Sequence, residues 1–315
     1  MSARAWALLR AMALAMCVVL VSPINPLVLV TLPVAILLLA FRPYDVRALL
    51  FAGLLIVLVF SDVRGSHEAL WYAERGWALM AAGGFILATA LVERKSLLLR
   101  GLGGLAAGAA GLGLTAWLNP TLLGELDWRM TQRFHEAALT AQELVSSVEG
   151  GEQLGAGLRA ALYQWAGTQE IIYPALLALA TVGALAVGWY VVARFAGVVT
   201  ALPPLRNFRF DDGLVWVLLL SLALVVLPVG GQLLERVGEN AALFLGALYL
   251  LRGAGVLMWF AAATLGTGWM AWLWGLVALL LYPVAAGVAL ILGVGDSWFD
   301  LRGWLRRARE QGTQG

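Results

Sequence analysis

Arg252 stands inside an apolar run from Ala241 to Leu265. A charged side chain at mid-bilayer costs roughly 2.5 kcal/mol or more, so such a residue faces a partner, a cavity or the water interface. No Asp or Glu interrupts any of the long apolar runs of this chain. The expected partners of Arg252 are therefore backbone carbonyls freed near Gly253 and Gly255, a water-filled cavity, or an anionic solute. On this reading Arg252 faces inward and is the candidate ligand-binding residue.

Other chemistry is thinner. Gly293-Val294-Gly295-Asp296 matches the Gly-x-Gly-Asp signature of intramembrane aspartyl proteases, and Tyr44-Asp45 supplies a Tyr-Asp pair. Two carboxylates sharing a proton would hydrolyse peptides. However, Asp296 reads as a helix exit, where Gly293 and Gly295 end one helix and Asp296 or Ser297 caps the next. Asp45 sits in an Arg-flanked connection. The histidines are His67 and His135, far apart and distant from the single cysteine, Cys17. No metal site is expected, and Ser66 in Gly65-Ser66-His67 lacks a nucleophile-elbow pattern. The sequence predicts no catalytic residues and no cofactor.

The elements that must carry these residues are set by composition. Hydrophobic residues make up 62% of the 315 residues and charged residues 13%, against about 45–50% and 25% in soluble domains. A soluble globule is excluded as the expectation. A net charge of +2 gives no basic face for nucleic acid. Apolar segments read as 5–22, 26–41, 48–61, 76–92, 96–117, 171–201, 213–231, 241–265 and 268–293. Crossing takes about 20 apolar residues, and the continuous runs favour helices over a barrel. The expected fold is all-α, a polytopic transmembrane helical bundle in one domain, 1–315, with the first helix retained.

Arginine and lysine in the connections fix orientation. Arg4, Arg10, Arg42, Arg47, Arg94, Lys95, Arg100, Arg206 and Arg209 fall on one side if the N-terminus is cytoplasmic. The tail, 296–310, carries Arg302, Arg306, Arg307 and Arg309 among Trp298, Phe299 and Trp304. It reads as a basic interfacial helix on the same side. Both termini are then cytoplasmic, which requires an even number of crossings. Segment 241–265 is the expected exception, a re-entrant hairpin with Arg252-Gly253-Ala254-Gly255 at its tip.

Segment 96–117 presents Gly104, Ala107, Gly108 and Gly111, spacings that allow close helix approach, here for internal packing. Residues 119–170 form the extracytoplasmic connection. Leu126, Met130, Phe134, Ala137, Ala141, Leu144 and Val148 recur at three and four residues. This predicts an amphipathic helix that breaks at Gly150-Gly151 and is followed by a shorter one on Leu154, Leu158, Leu162 and Trp165.

Several short motifs recur in a telling order: Leu32-Pro33, Phe41-Arg42-Pro43-Tyr44-Asp45-Val46-Arg47, Leu202-Pro203-Pro204, Leu214-Val215-Trp216, Leu251-Arg252-Gly253 and Gly295-Asp296-Ser297-Trp298-Phe299-Asp300-Leu301-Arg302. Together they resemble the YybS-like family of uncharacterised bacterial polytopic inner-membrane proteins. The likeness covers most of the chain outside 119–170. It implies a bacterial inner-membrane location and a distant kinship with the substrate-binding components of energy-coupling-factor vitamin transporters. Those components meet their coupling subunit through an Ala-x-x-x-Ala face on the first helix. Ala3, Ala7, Ala11 and Ala15 are spaced by four here, which makes Ala7, Ala11 and Ala15 the candidate partner-binding residues. The leading expectation is a transporter-type solute-binding membrane component. Its partners would be the lipid bilayer, a small anionic solute and a membrane protein. A non-catalytic scaffold is the alternative, and an intramembrane aspartyl protease a remote one.

Overall fold

The computed structural model describes residues 69–91, 96–146, 151–196, 204–227, 231–264 and 280–304. The first three apolar segments, Cys17, Asp45, His67, the Ala7, Ala11 and Ala15 face and both termini lie outside them. The described residues are helical and contain no strand. The chain divides into two compact units, 1–201 and 202–315.

In the first unit, helix α1 (Ala69–Leu91) packs on α2 (Leu97–Leu118), and α3 (Leu122–Ser146) packs on α4 (Gly151–Ala196). Ser96 opens α2 by accepting a hydrogen bond from the Leu99 amide at 3.4 Å. The small residues of α2 turn inward, and Gly101, Gly104 and Gly108 are buried. A Cβ on Gly104 would stand 2.8 Å from the Ala81 carbonyl, and one on Gly108 would stand 3.2 Å from the Trp77 ring. These glycines let α1 and α2 approach closely, which is the internal packing expected of them. Ala78, Ala82 and Phe85 of α1 meet Ala184 and Leu185 of α4 in the core, with Leu97 and Trp189 against it. Trp77 Nε1 donates to Thr181 Oγ1 at 2.9 Å, giving the indole nitrogen a partner away from water.

The amphipathic helix expected after 119 is α3. Its Phe134 ring lies edge-on to Tyr173 of α4 at 5.9 Å, and Arg133 pairs with Glu74 of α1 at 2.6 Å. The expected short helix at 154–165 is not separate. It runs on through the apolar segment as one helix of 46 residues, with Pro174 inside it. One proline removes one backbone bond, and nothing between Trp165 and Ile171 supplies a stop. At 1.5 Å per residue, such a helix is about 69 Å long, twice the hydrocarbon thickness. When α4 crosses a bilayer, a large part of it must project.

In the second unit, a 3₁₀ turn (Leu205–Asn207) precedes α5 (Leu214–Val226), α6 (Gly231–Thr264) and α7 (Tyr282–Phe299). Both α5 and α7 pack on α6. Gly238 of α6 sits where a Cβ would lie 2.9 Å from the Ser221 carbonyl of α5. The re-entrant expectation fails here: α6 is unbroken through Arg252-Gly253-Ala254-Gly255. A glycine in a helix interior costs only about 1 kcal/mol, and the apolar surroundings leave the backbone no better partner than its own carbonyls.

Among the described residues, four helices are long and apolar enough to cross a membrane: Leu97–Leu118, Ala160–Ala193, Gly231–Ala261 and Tyr282–Phe299. Leu214–Val226 is a shorter apolar helix. These fall short of the eight or nine segments expected, but that comparison is confined to the described residues.

Candidate functional site

On α6, Leu245, Leu248, Tyr249, Arg252 and Val256 are buried on one face, at helical spacing. Arg252 is 1% exposed and is the largest fully buried side chain among the described residues. On α7, the buried residues are Ala289, Gly293 and Asp296, again three and four apart. The two faces meet backbone to backbone. A Cβ on Gly253 would overlap the Ala289 carbonyl and stand 2.8 Å from the Gly293 amide nitrogen; one on Gly293 would overlap the Tyr249 carbonyl. Only glycine permits that approach.

The close crossing brings Arg252 to Asp296. Arg252 Nε donates to Asp296 Oδ2 at 3.0 Å, and Nη2 to the Asp296 carbonyl at 3.1 Å. Asp296 is 2% exposed. This corrects two expectations. The partner of Arg252 was sought among carbonyls, water or solute because no carboxylate lay within a segment. Asp296 was placed beyond a helix end. In fact α7 continues through Gly293 and Gly295 to Phe299, and Asp300, not Asp296 or Ser297, occupies its C-cap with φ 41°. Gly293 serves packing rather than termination, whereas a Cβ on Gly295 would meet nothing within 4 Å.

Residues 204–213 form a strap over this pair. Leu205 lies against Gly255, where a Cβ would overlap the Leu205 carbonyl. Arg302 Nη1 donates to the Arg206 carbonyl at 2.9 Å, and Nη2 to the Phe208 and Arg252 carbonyls at 3.1 and 3.0 Å. Arg252 Nη1 reaches the Phe210 carbonyl at 3.4 Å and Asp212 Oδ1 at 2.7 Å. The gripped carbonyls are thus 206, 208 and 210, alternate residues along the chain. The Phe210 ring stands 5.0 Å from Tyr249 and 5.3 Å from the Arg252 guanidinium, so it covers both. Arg209 pairs with Asp300 and lies 3.7 Å from Asp296 Oδ1.

Asp296 therefore faces three guanidinium groups, with Arg302 Nη2 3.6 Å from Oδ2. Burial lowers the pKa of Arg302 from its ordinary value, while Asp296 beside it acts the other way. The hydrogen bond to Asp300 raises that of Arg209. Both guanidiniums stay charged, as arginine does in proteins. The sequence puts Arg302 on an interfacial tail, paired there with Asp296 or Asp300, and the 3.6 Å approach to Asp296 matches that pairing. It does not foresee that Arg302 is 3% exposed. The left-handed Asp300 turns the chain back and aims Arg302 inward, and no periodic pattern encodes that turn.

Some buried atoms in the cluster lack a hydrogen-bond partner: Tyr249 Oη, Ser297 Oγ, Asp296 Oδ1 and Arg302 Nε. The Tyr249 hydroxyl and the Ser297 side chain face each other. An aspartyl dyad needs a second carboxylate sharing the proton; Asp45, the expected second member, lies outside the described residues, and arginines surround Asp296. His135 Nδ1 lies 2.9 Å from the Thr131 carbonyl of its own helix. Among the described residues, no group of three or more His, Cys, Asp or Glu is placed to hold a metal ion.

Residues 10–297 match the family model described as a predicted membrane protein (DUF2232). No curated protein and no solved structure matches the chain.

Proposed function

Because the chain belongs to the DUF2232 family of predicted membrane proteins, we propose that it is a transporter-type solute-binding membrane component without catalytic activity. The observation that carries this reading is the burial of Arg252 and Asp296 within two helices able to cross a membrane. Ionisable residues at such depth are expensive, and they mark solute paths by default. Sites formed between spanning helices are where transporters hold their cargo. The resemblance to the substrate-binding components of energy-coupling-factor transporters supports the same reading. On this reading the protein sits in a bacterial inner membrane and Ala7, Ala11 and Ala15 dock a coupling partner, while the arginine distribution supports cytoplasmic termini.

A second reading, a non-catalytic scaffold that binds partner proteins, is favoured by one observation. Every nitrogen of the Arg252 guanidinium already has a partner within the chain. The two readings part in a thermal-shift screen of the purified protein in nanodiscs against vitamins, nucleobases and amino acids. Saturable stabilisation by one class supports solute binding. A flat response across the panel, together with co-purification of a membrane partner lost on Ala11→Leu, supports the scaffold.

A further inference from the structure

We propose that the outer face of the strap lines a water-filled path reaching the middle of the bilayer. The path would serve the solute-binding reading, but it is argued from depth and charge alone. Depth comes first. Along α6, α5 and α7 occupy different stretches. Gly238 lies against Ser221, Leu224 and Val225 of α5, whereas Gly253 lies against Ala289 and Tyr249 against Gly293 of α7. The strap fills the interval, with Phe210 on Tyr249, Asp212 on Arg252 and Leu205 on Gly255. Chain direction agrees, since α5 starts and α7 ends at the strap. At 1.5 Å per residue, each side of the strap carries roughly 20 Å or more of helix. Both helices present apolar side chains outward: Trp216, Leu220 and Val226 on α5, and Val284, Val288 and Ile291 on α7. If the strap stood at the membrane surface, one of these helices would stand in water. With a hydrocarbon layer about 30 Å thick, lipid covers both only when the strap lies inside it. The polar residues of α6 agree. Glu235, Arg236, Glu239 and Asn240 sit near its start, and residue 240 is about 18 Å from Arg252, roughly half the layer.

Charge comes second. Arg206, Asn207, Arg209, Asp211 and Asp212 of the strap are exposed. Ion pairing does not seal them. The side chains of Arg209, Asp212 and Asp300 stay 44%, 62% and 53% exposed within their pairs. The backbone from Phe208 to Gly213 is not helical either. Lipid accepts neither feature: at membrane depth, charges and irregular backbone persist only against protein or water. A protein cover would have to bring matching polar groups, and no Asp or Glu interrupts the long apolar runs of this chain. Water needs no such match. The path is separate from the buried Arg252–Asp296 pair, which lies on the inner side of the strap with the Phe210 ring over Arg252.

The test uses the full-length protein in nanodiscs, with the single cysteine removed as Cys17→Ser. Asn207→Cys, Leu220→Cys and Ile291→Cys are each treated with a charged, membrane-impermeant thiol reagent, and labelling is read against the same variant unfolded in SDS. Asn207→Cys should label fully. Leu220→Cys and Ile291→Cys should reach about a tenth of that or less, because apolar surroundings suppress the reactive thiolate. Should Asn207→Cys fail to fold, Arg206→Cys takes its place. Depth is read separately from a fluorophore on Phe299→Cys, an exposed apolar position beside Asp300. Lipids spin-labelled at the chain end should quench it more strongly than lipids labelled at the headgroup. An unlabelled Asn207→Cys overturns the path, since protein rather than water then covers the strap. Stronger quenching from the headgroup overturns the mid-membrane placement and the path with it, as does fast labelling of Leu220→Cys or Ile291→Cys. A labelled strap together with a flat thermal-shift screen upholds the path and removes the solute-binding reading.

Discussion

Replacing Asp296 with asparagine keeps the shape of the side chain and removes its charge. At 2% exposure nothing from solvent makes up the difference. Breaking a buried ion pair by neutralising one partner costs about 3–5 kcal/mol, because the other charge stays buried. Two features of the cluster set the value at the low end. Arg252 keeps Asp212 at 2.7 Å, and Arg302 keeps its three carbonyls. The asparagine amide must also turn its oxygen toward Arg252 Nε, which leaves its NH₂ toward Arg209. We expect Asp296→Asn to lower stability by about 3 kcal/mol, measured by equilibrium unfolding in mixed micelles. The double variant Arg252→Leu with Asp296→Leu should recover most of that loss, since well-packed apolar pairs replace buried ion pairs at little cost. A loss below about 1 kcal/mol in the single variant, the size of a helix cap, would refute the buried cluster.

Gly253→Ala should be among the most damaging small substitutions in the chain, since its Cβ would overlap the Ala289 carbonyl. A loss of roughly 3 kcal/mol is expected from such overpacking, whereas Gly287→Ala, with nothing within 4 Å of its Cβ, should be neutral or slightly stabilising. Expression and unfolding midpoints of the two variants check this. Arg302→Ala should free the strap, so hydrogen exchange across 205–210 should accelerate at least about tenfold while α1 to α4 keep their protection. Reporter fusions at Gly150 and Gly315 should be active on opposite faces of the membrane, as the arginine distribution requires.

Much of this was legible from the residues. A run of apolar side chains makes a helix wherever water is absent, and the glycine spacing in α2 marked a close packing face. Arg252 turned inward because a buried charge has few alternatives. Its partner was harder to see. Gly293 and Gly295 carry the sequence signal of a helix end, and in water they would act as one. In α7 the cost of Gly293 is offset by its contact with α6, so the helix runs on through Gly295 and Asp296 becomes an interior residue. The same ambiguity suggested a re-entrant tip at Gly253 and Gly255, which proved to be contact points with Ala289 and Leu205. Arg302 depended on one left-handed residue, Asp300, and a single dihedral leaves no trace in hydropathy. The length of α4 was misjudged because the polar residues Gln169 and Glu170 interrupt the apolar pattern without interrupting the helix.

The bare-backbone contact of Gly253 with Gly293 also limits how the second unit can move. Interlocked side chains tolerate small slips along the helix axes, each knob shifting within its hole. Here there are no knobs. A slip by one residue in either direction would bring Ala254 or Val294 to the crossing, where a Cβ has no room beside a carbonyl. Translation is therefore blocked, while rotation about the crossing leaves the glycines in place. The crossing behaves as a pivot. Arg252 adjoins Gly253 and Asp296 lies one turn from Gly293, so the ion pair sits beside the pivot itself. A small angular change at the pivot therefore leaves the Arg252–Asp296 pair nearly in place, while displacement grows toward the far ends of both helices.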